Sequence, residues 1–236
     1  MKMEEVKRIK ELAKRFVDVP LHDSGFLCFA SHPFTNSFVI GIRGKNNDLI
    51  LADLKDEQAL AEWRKQLKQQ IDALSNVKDI FLMLNKPYIL TFISYIEPML
   101  TDAELGKILS DNWSLIEDIT GNCNVNGRKL VKWFFRADKR SLMTEKEWAF
   151  YESLPEEVTI YRGVTSHNRR YKMALSWTID RETAVWFANR FDTGTGEVWE
   201  MAIPRERICC FFSRRNEQEV IVNLYGCKNE RTVTTL

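Results

Sequence analysis

The chain has almost no charge of either sign in excess. Its 34 lysines and arginines stand against 33 aspartates and glutamates, a formal +1 over 236 residues, so no global field draws it to nucleic acid or to a membrane surface. Cysteine is sparse and odd in number, five in all, without the regular spacing of a disulfide scaffold or a zinc site. The adjacent Cys209 and Cys210 cannot both face one core and read as ordinary strand residues rather than a redox pair. The three histidines, His22, His32 and His167, share no spacing that suggests metal or triad chemistry and read as surface or turn residues. No apolar run reaches membrane length: Ile80–Ile96 is the richest, and Asn85, Lys86 and Pro87 interrupt it. The start, Met1-Lys2-Met3-Glu4-Glu5, is too charged for a signal peptide. A cytoplasmic protein without metal or membrane partner is expected.

What is present is ample apolar content for one large domain or two small ones. Helical spacing of apolar residues predicts a helix over Glu4–Val17. Strands are expected at Phe26–Ala30, Phe38–Ile42 and Asp48–Leu54, with a turn at His32–Asn36, followed by a long helix over Asp56–Leu74 capped by Asp56. These residues, 1–76, form a small α+β extension. Beyond the composition shift near Ser75-Asn76 the pattern turns helical: Ile80–Ile96 with a kink at Pro87, Asp102–Ile119 behind Thr101, Gly127–Ala137, and Thr144–Ser153 with Glu147 positioned for a capping box. A helical lobe over 77–153 and a β-rich segment over 154–236 are expected.

In that last segment three polar insertions interrupt apolar runs in a fixed order. Tyr161-Arg162-Gly163 closes Val158–Tyr161, Ser176-Trp177-Thr178 follows Ala174-Leu175, and Glu217-Gln218-Glu219 leads into Val220–Val222. Each sets a functional group at the edge of a strand, where a packed sheet can hold it still. Arginine offers a rigid fork of donors to an anion. The hydroxyls of Ser176 and Thr178 alternate along a strand, point to one side and can order a neighbouring carboxylate. A carboxylate beside an anomeric carbon stabilises the oxocarbenium-like charge of glycosidic cleavage.

The order and spacing resemble the Arg-Ser-Glu class of mono-ADP-ribosyltransferases, the family of clostridial toxin catalytic domains, arginine-specific ectoenzymes and many bacterial and phage effectors. Leu175–Thr178 with Thr183–Arg190 behind it is similar to the family's Ser-x-Thr strand and helix, and Ile208–Phe212 followed by Glu217-x-Glu219 to its catalytic strand and loop. The resemblance covers Leu154 to Asn223. It implies an α+β fold with a split, mostly antiparallel β-core, a catalytic domain over 77–236, and NAD as substrate without metal. Under it Glu219 holds the nicotinamide ribose and stabilises the cation, Glu217 draws a proton from the acceptor, Arg162 contacts the NAD phosphate or ribose, and Ser176 positions cofactor and glutamate. Gly163 lets the cofactor approach the backbone, Trp177 and Thr178 flank it, Phe212 stacks on nicotinamide, and Arg190 reaches the diphosphate from the loop Phe191–Gly196. Trp186, Phe187 and Phe211 complete an aromatic set that reads mostly as core.

The activity so implied is transfer of ADP-ribose from NAD to a macromolecule with release of nicotinamide, as in a toxin, the toxin of a toxin–antitoxin pair, or a phage-defence or phage effector protein. Glu217 favours a protein arginine as acceptor. Two basic clusters, Arg128, Lys129, Lys132, Arg136, Lys139 and Arg140, and Arg169, Arg170 and Lys172, favour RNA or DNA if they line one groove. An NAD glycohydrolase and a catalytically inactive binding module of the same fold are the alternatives.

Overall fold

The computed structural model describes residues 2–44, 46–116, 122, 124–171, 173–190, 196–227 and 232–236. Among them the chain is α+β, and every strand pairing is antiparallel. It divides into two compact units, Met1–Met99 with Leu115–Glu117, and Leu100–Ser114 with Asp118–Leu236.

The first unit contains α1 (Met3–Val17), β1 (His22–Asp23), β2 (Phe29–His32), β3 (Thr35–Ser37), β4 (Val39–Arg43), β5 (Leu49–Asp53), α2 (Glu57–Ala73), α3 (Lys78–Met83) and α4 (Ile89–Ile96). Helix α1 buries Ile9, Ala13 and Val17 at four-residue intervals, with Glu4 and Glu5 in its first turn and Lys14 and Arg15 in its last, as the helix dipole favours. Helix α2 buries Trp63, Leu67 and Ile71 at the same interval, and Asp56 accepts from the Ala59 N–H at 2.8 Å. Strands β4 and β5 form a separate hairpin. Pro87 divides the apolar run rather than bending it: α3 ends at Met83, and a 3-10 turn over Lys86–Tyr88 starts the chain into α4. Phe92 of α4 then meets Phe16 and Phe81 edge-on at 5.3 and 5.5 Å. That aromatic contact ties α3 and α4 to the first unit, so the compact division does not coincide with a border at residue 76. His32 is fully buried against Trp63 rather than exposed in a turn; its Nδ1 accepts from the Phe34 N–H, and burial lowers its pKa to about 4.

The second unit contains α5 (Asp102–Asn112), α6 (Gly127–Arg136), α7 (Lys139–Leu142), α8 (Glu145–Ser153), β6 (Glu157–Val164), β7 (Ser176–Thr178), α9 (Arg181–Asn189), β8 (Glu197–Pro204), β9 (Ile208–Phe212), β10 (Glu219–Val222) and β11 (Thr232–Thr235). The six strands run in the order β11-β8-β6-β7-β10-β9. Capping boxes start α5 at Thr101/Glu104 and α8 at Thr144/Glu147. The helix expected over Asp102–Ile119 ends at Asn112 in a 3-10 turn over Trp113–Leu115, and 117–119 lie outside the described residues. Every residue of β9 is buried, Cys209 and Cys210 included, so the two adjacent side chains, which point to opposite faces of the strand, are both covered. Burial pushes the Cys209 thiol up to about 12 and Cys210 well above the ordinary range, which leaves both inert.

The interior of the sheet is uneven. Strand β6 pairs with β8 along its whole length, from Glu157–Pro204 to Val164–Glu197, yet joins β7 through the single pair Tyr161–Thr178. Beyond that pair β6 continues only with β8. The sheet is therefore divided where Arg162 and Ser176 stand.

Candidate active site

Helix α9 fixes the first wall of the site. Asp180 caps it by accepting from the Glu182 and Thr183 N–H groups, and Ala184, Ala188 and Val198 pack into one apolar cluster beside Tyr161 and Val185. The approach requires glycine at position 163: a Cβ there would stand 2.3 Å from the Ala184 carbonyl oxygen and 2.6 Å from the Ala188 nitrogen. Gly163 is thus a helix-packing residue, its Cβ side closed by the backbone of α9. Arg162 and Gly163 also lie inside β6 and not at its end, opposite Trp199 and Val198.

The three residues that carry the motif converge on the neighbouring strands. Glu219 pairs with Thr178, and Ser176 pairs with Ile221, so Ser176 sits diagonally across the ladder from Glu219 on the same face. Its hydroxyl donates to Glu219 Oε1 at 2.5 Å. The Arg162 guanidinium donates through Nη1 to the Ser176 carbonyl, and its Nε is buried with no partner among the described residues. Burial lowers the Arg162 pKa to about 10, opposed by the charge of Glu219. Arg162 therefore remains a cation at neutral pH. Burial also raises the pKa of Glu219, with Glu217 adding to the rise, while donors from Ser176 and Trp113 and the charge of Arg215 oppose it.

Trp113 had no local signal in the sequence. It lies in the 3-10 turn after α5, and its indole N–H donates to Glu219 Oε1 at 3.0 Å. Both donors thus meet one carboxylate oxygen. No hydrogen bond to the other, Oε2, is found among the described residues.

Thr178 has a different task from the one its spacing suggests. Its hydroxyl donates to the Glu217 carbonyl at 2.7 Å and accepts from the Asp180 N–H at 3.0 Å, so it ties the loop to the start of α9 instead of ordering a carboxylate. Glu217 is half-buried on that loop, where Arg215, Asn216 and Gln218 all have left-handed φ angles of 60°, 57° and 45°. Non-glycine residues in this region cost about 1–2 kcal/mol each. The loop is held in that form by tethers at both ends. Ser213 donates to Glu147, Arg214 donates to the carbonyl and the hydroxyl of Ser110, Arg215 donates to the Ser114 carbonyl, and the Ile179 N–H donates to the Gln218 carbonyl at 3.2 Å.

Two of the aromatic residues expected at the cofactor are covered by protein. Phe212 and Trp177 are each 2 % exposed; Phe212 faces Glu219 across β9 and β10, and the Trp177 indole donates to the Ala174 carbonyl at 2.9 Å. Both are core, because their strands are covered. Trp186 is 58 % exposed, with the Arg190 guanidinium over its ring at 5.5 Å. Arg190 is exposed at the end of α9, and the loop expected to carry it to a diphosphate, Phe191–Gly196, lies outside the described residues up to Thr195.

The basic clusters are largely engaged. Arg136 pairs with Asp102 at 2.9 Å and Arg169 with Glu197 at 2.8 Å. Lys139 meets the Tyr151 hydroxyl at 2.5 Å, and Arg140 and Arg170 lie over the rings of Trp148 and Tyr171. Lys172 is outside the described residues. Among the described residues no group of three histidine, cysteine or acidic side chains is placed to hold a metal, and no helix is long and apolar enough to cross a membrane. Scanned against protein-family models, curated proteins and solved structures, the chain matches none.

Proposed function

We propose that the second unit is an ADP-ribosyltransferase domain that cleaves the glycosidic bond between nicotinamide and ribose in NAD and transfers ADP-ribose to a protein arginine. The observation that carries this reading is the chain of contacts from Arg162 to Ser176 to Glu219, three residues from three strands joined at the division of the sheet. A buried guanidinium with an unpartnered Nε suits an anionic or hydroxyl-rich ligand. A carboxylate with one oxygen occupied and one open suits a ribose hydroxyl and a growing positive charge.

In this reading the C–N bond to nicotinamide breaks with its electron pair leaving on nicotinamide, and Glu219 stabilises the oxocarbenium ion that remains. Ser176 and Trp113 hold Glu219 Oε1, so Oε2 faces the sugar. Glu217, two residues upstream, takes the proton that the acceptor nitrogen loses as it bonds to the anomeric carbon. A protonated arginine needs such a carboxylate. The ion pairs that engage Arg136 and Arg169 reduce the cationic surface open to a polyanion, which favours protein over nucleic acid.

The test is incubation of the full chain with labelled NAD and cell lysate. Nicotinamide release with label on protein is expected. Free ADP-ribose with no labelled macromolecule would make the protein a glycohydrolase, label on RNA or DNA would move the acceptor, and absence of any nicotinamide release would overturn the enzymatic reading.

A further inference from the structure

Helix α8 opens with a capping box that does more than cap. Glu147 is 2 % exposed. Its Oε2 accepts from the Thr144 N–H and hydroxyl, both at 2.9 Å, which is all that the box requires. Its Oε1 accepts from the Ser213 N–H at 2.8 Å and the Ser213 hydroxyl at 3.1 Å, 66 residues away in sequence. Four donors on one buried carboxylate make a rigid link between α8 and the residue at which β9 gives way to the loop.

That loop contains left-handed residues without glycine, so its shape depends on what holds its ends. Its exit is held by Thr178 and Ile179, which bind the carbonyls of Glu217 and Gln218. Its entry is held by Glu147 at Ser213 and by Ser110 at Arg214. Glu219 is secured separately, by its ladder with Thr178 and Phe212 and by Ser176 and Trp113. Loosening the Ser213 tether therefore takes support from the segment that leads to Glu217 and leaves every partner of Glu219 in place.

We propose that Glu147 is a positioning residue that, through Ser213, sets how the sugar cation is divided between a macromolecular acceptor and water. This rests on the transferase reading. Capture by the acceptor forms a bond from its nitrogen to the anomeric carbon and passes a proton to Glu217. Capture by water yields free ADP-ribose and a proton, and needs less help from a placed base.

The experiment compares the full chain with Glu147→Gln, Thr144→Ala and Ser213→Pro, which removes both the N–H and the hydroxyl that Glu147 accepts, measuring nicotinamide release, macromolecular label and amide exchange across residues 214–222. In Glu147→Gln and Ser213→Pro the ratio of label to nicotinamide is expected to fall roughly tenfold, the scale on which small misplacements of a catalytic group act. Exchange should rise at 214–218 and stay unchanged at 219–222. Thr144→Ala should melt earlier and keep the ratio, since Ser213 retains its partner. An unchanged ratio and unchanged exchange in Ser213→Pro overturn the proposal, and that variant decides alone if Glu147→Gln does not fold. If the unmodified chain releases no nicotinamide, the transferase reading fails and the exchange pattern still tests the link.

Discussion

Glu147 and Glu219 are both withdrawn from water, and burial raises the pKa of each, but the donors around them give opposite net results. At Glu147 the N–H and hydroxyl groups of Thr144 and Ser213 outweigh burial and hold the carboxyl below its ordinary range; at Glu219 two donors on one oxygen do not. Because the folded value of Glu219 lies above the unfolded one, its ionised form costs stability from the unfolded carboxylate range, about 4.3, upward. Glu219→Gln keeps an acceptor for Ser176 and Trp113, so it should raise the melting temperature at neutral pH, by about 2–4 °C per kcal/mol relieved. The gain should vanish below about pH 4, where both forms are neutral. Its turnover should fall roughly a hundredfold, the loss of one electrostatic contact to the transition state. Calorimetry beside a nicotinamide-release assay checks both, and a stable variant with unaltered turnover removes Glu219 from the chemistry. Arg162→Lys preserves the charge but not the fork, and should weaken NAD binding about ten- to hundredfold, one charge-assisted hydrogen bond, by titration calorimetry.

At the scale of elements, position 163 separates packing from binding. Gly163→Ala would drive a methyl into the Ala184 carbonyl and the Ala188 nitrogen, backbone atoms that cannot step aside. A loss of about 1–3 kcal/mol is expected, the usual range for overpacking, read as a lower denaturation midpoint. Wild-type stability would mean that α9 can shift on β6. The elements that the sequence announced are those whose signals are local. Thr101, the Thr144/Glu147 box and the Asp56 cap start α5, α8 and α2 where the sequence places them. The elements it misplaced depend on distant partners. Strand β6 runs past Tyr161 to Val164 because β8 lies beside it, and the strand expected at Phe26–Ala30 shifts to Phe29–His32 because it pairs with β3, a strand hidden in an apparent turn. Pro87 was legible as a kink in one helix but not as the boundary between two.

At the scale of the second unit, the Arg-Ser-Glu order could be read in the chain, since each member carries strand-like flanks, whereas what supports it could not. Trp113 lies 106 residues from Glu219 and Arg214 lies 104 from Ser110, separations over which no periodicity speaks. Phe212 and Trp177 were legible as aromatic but not as buried, because cover comes from other elements. Glu217→Gln tests the division of labour that this assembly suggests. Macromolecular label should drop at least tenfold while slow nicotinamide release persists, given that general-base assistance typically contributes a hundredfold or more. Equal loss in both assays would assign Glu217 to the NAD step.

The single Tyr161–Thr178 pair between β6 and β7 has a consequence for how the unit breathes. On one side of it stand β11, β8 and β6; on the other, β7, β10 and β9. Each set is zipped internally, and little backbone hydrogen bonding crosses between them, so they should open as separate cooperative blocks with distinct protection against amide exchange. A ligand gripped by Arg162 from one block and Glu219 from the other would act as the missing rungs. Saturating NAD should then merge the two protection classes into one and slow exchange across the whole sheet, a stiffening that a ligand held by either block alone would not produce.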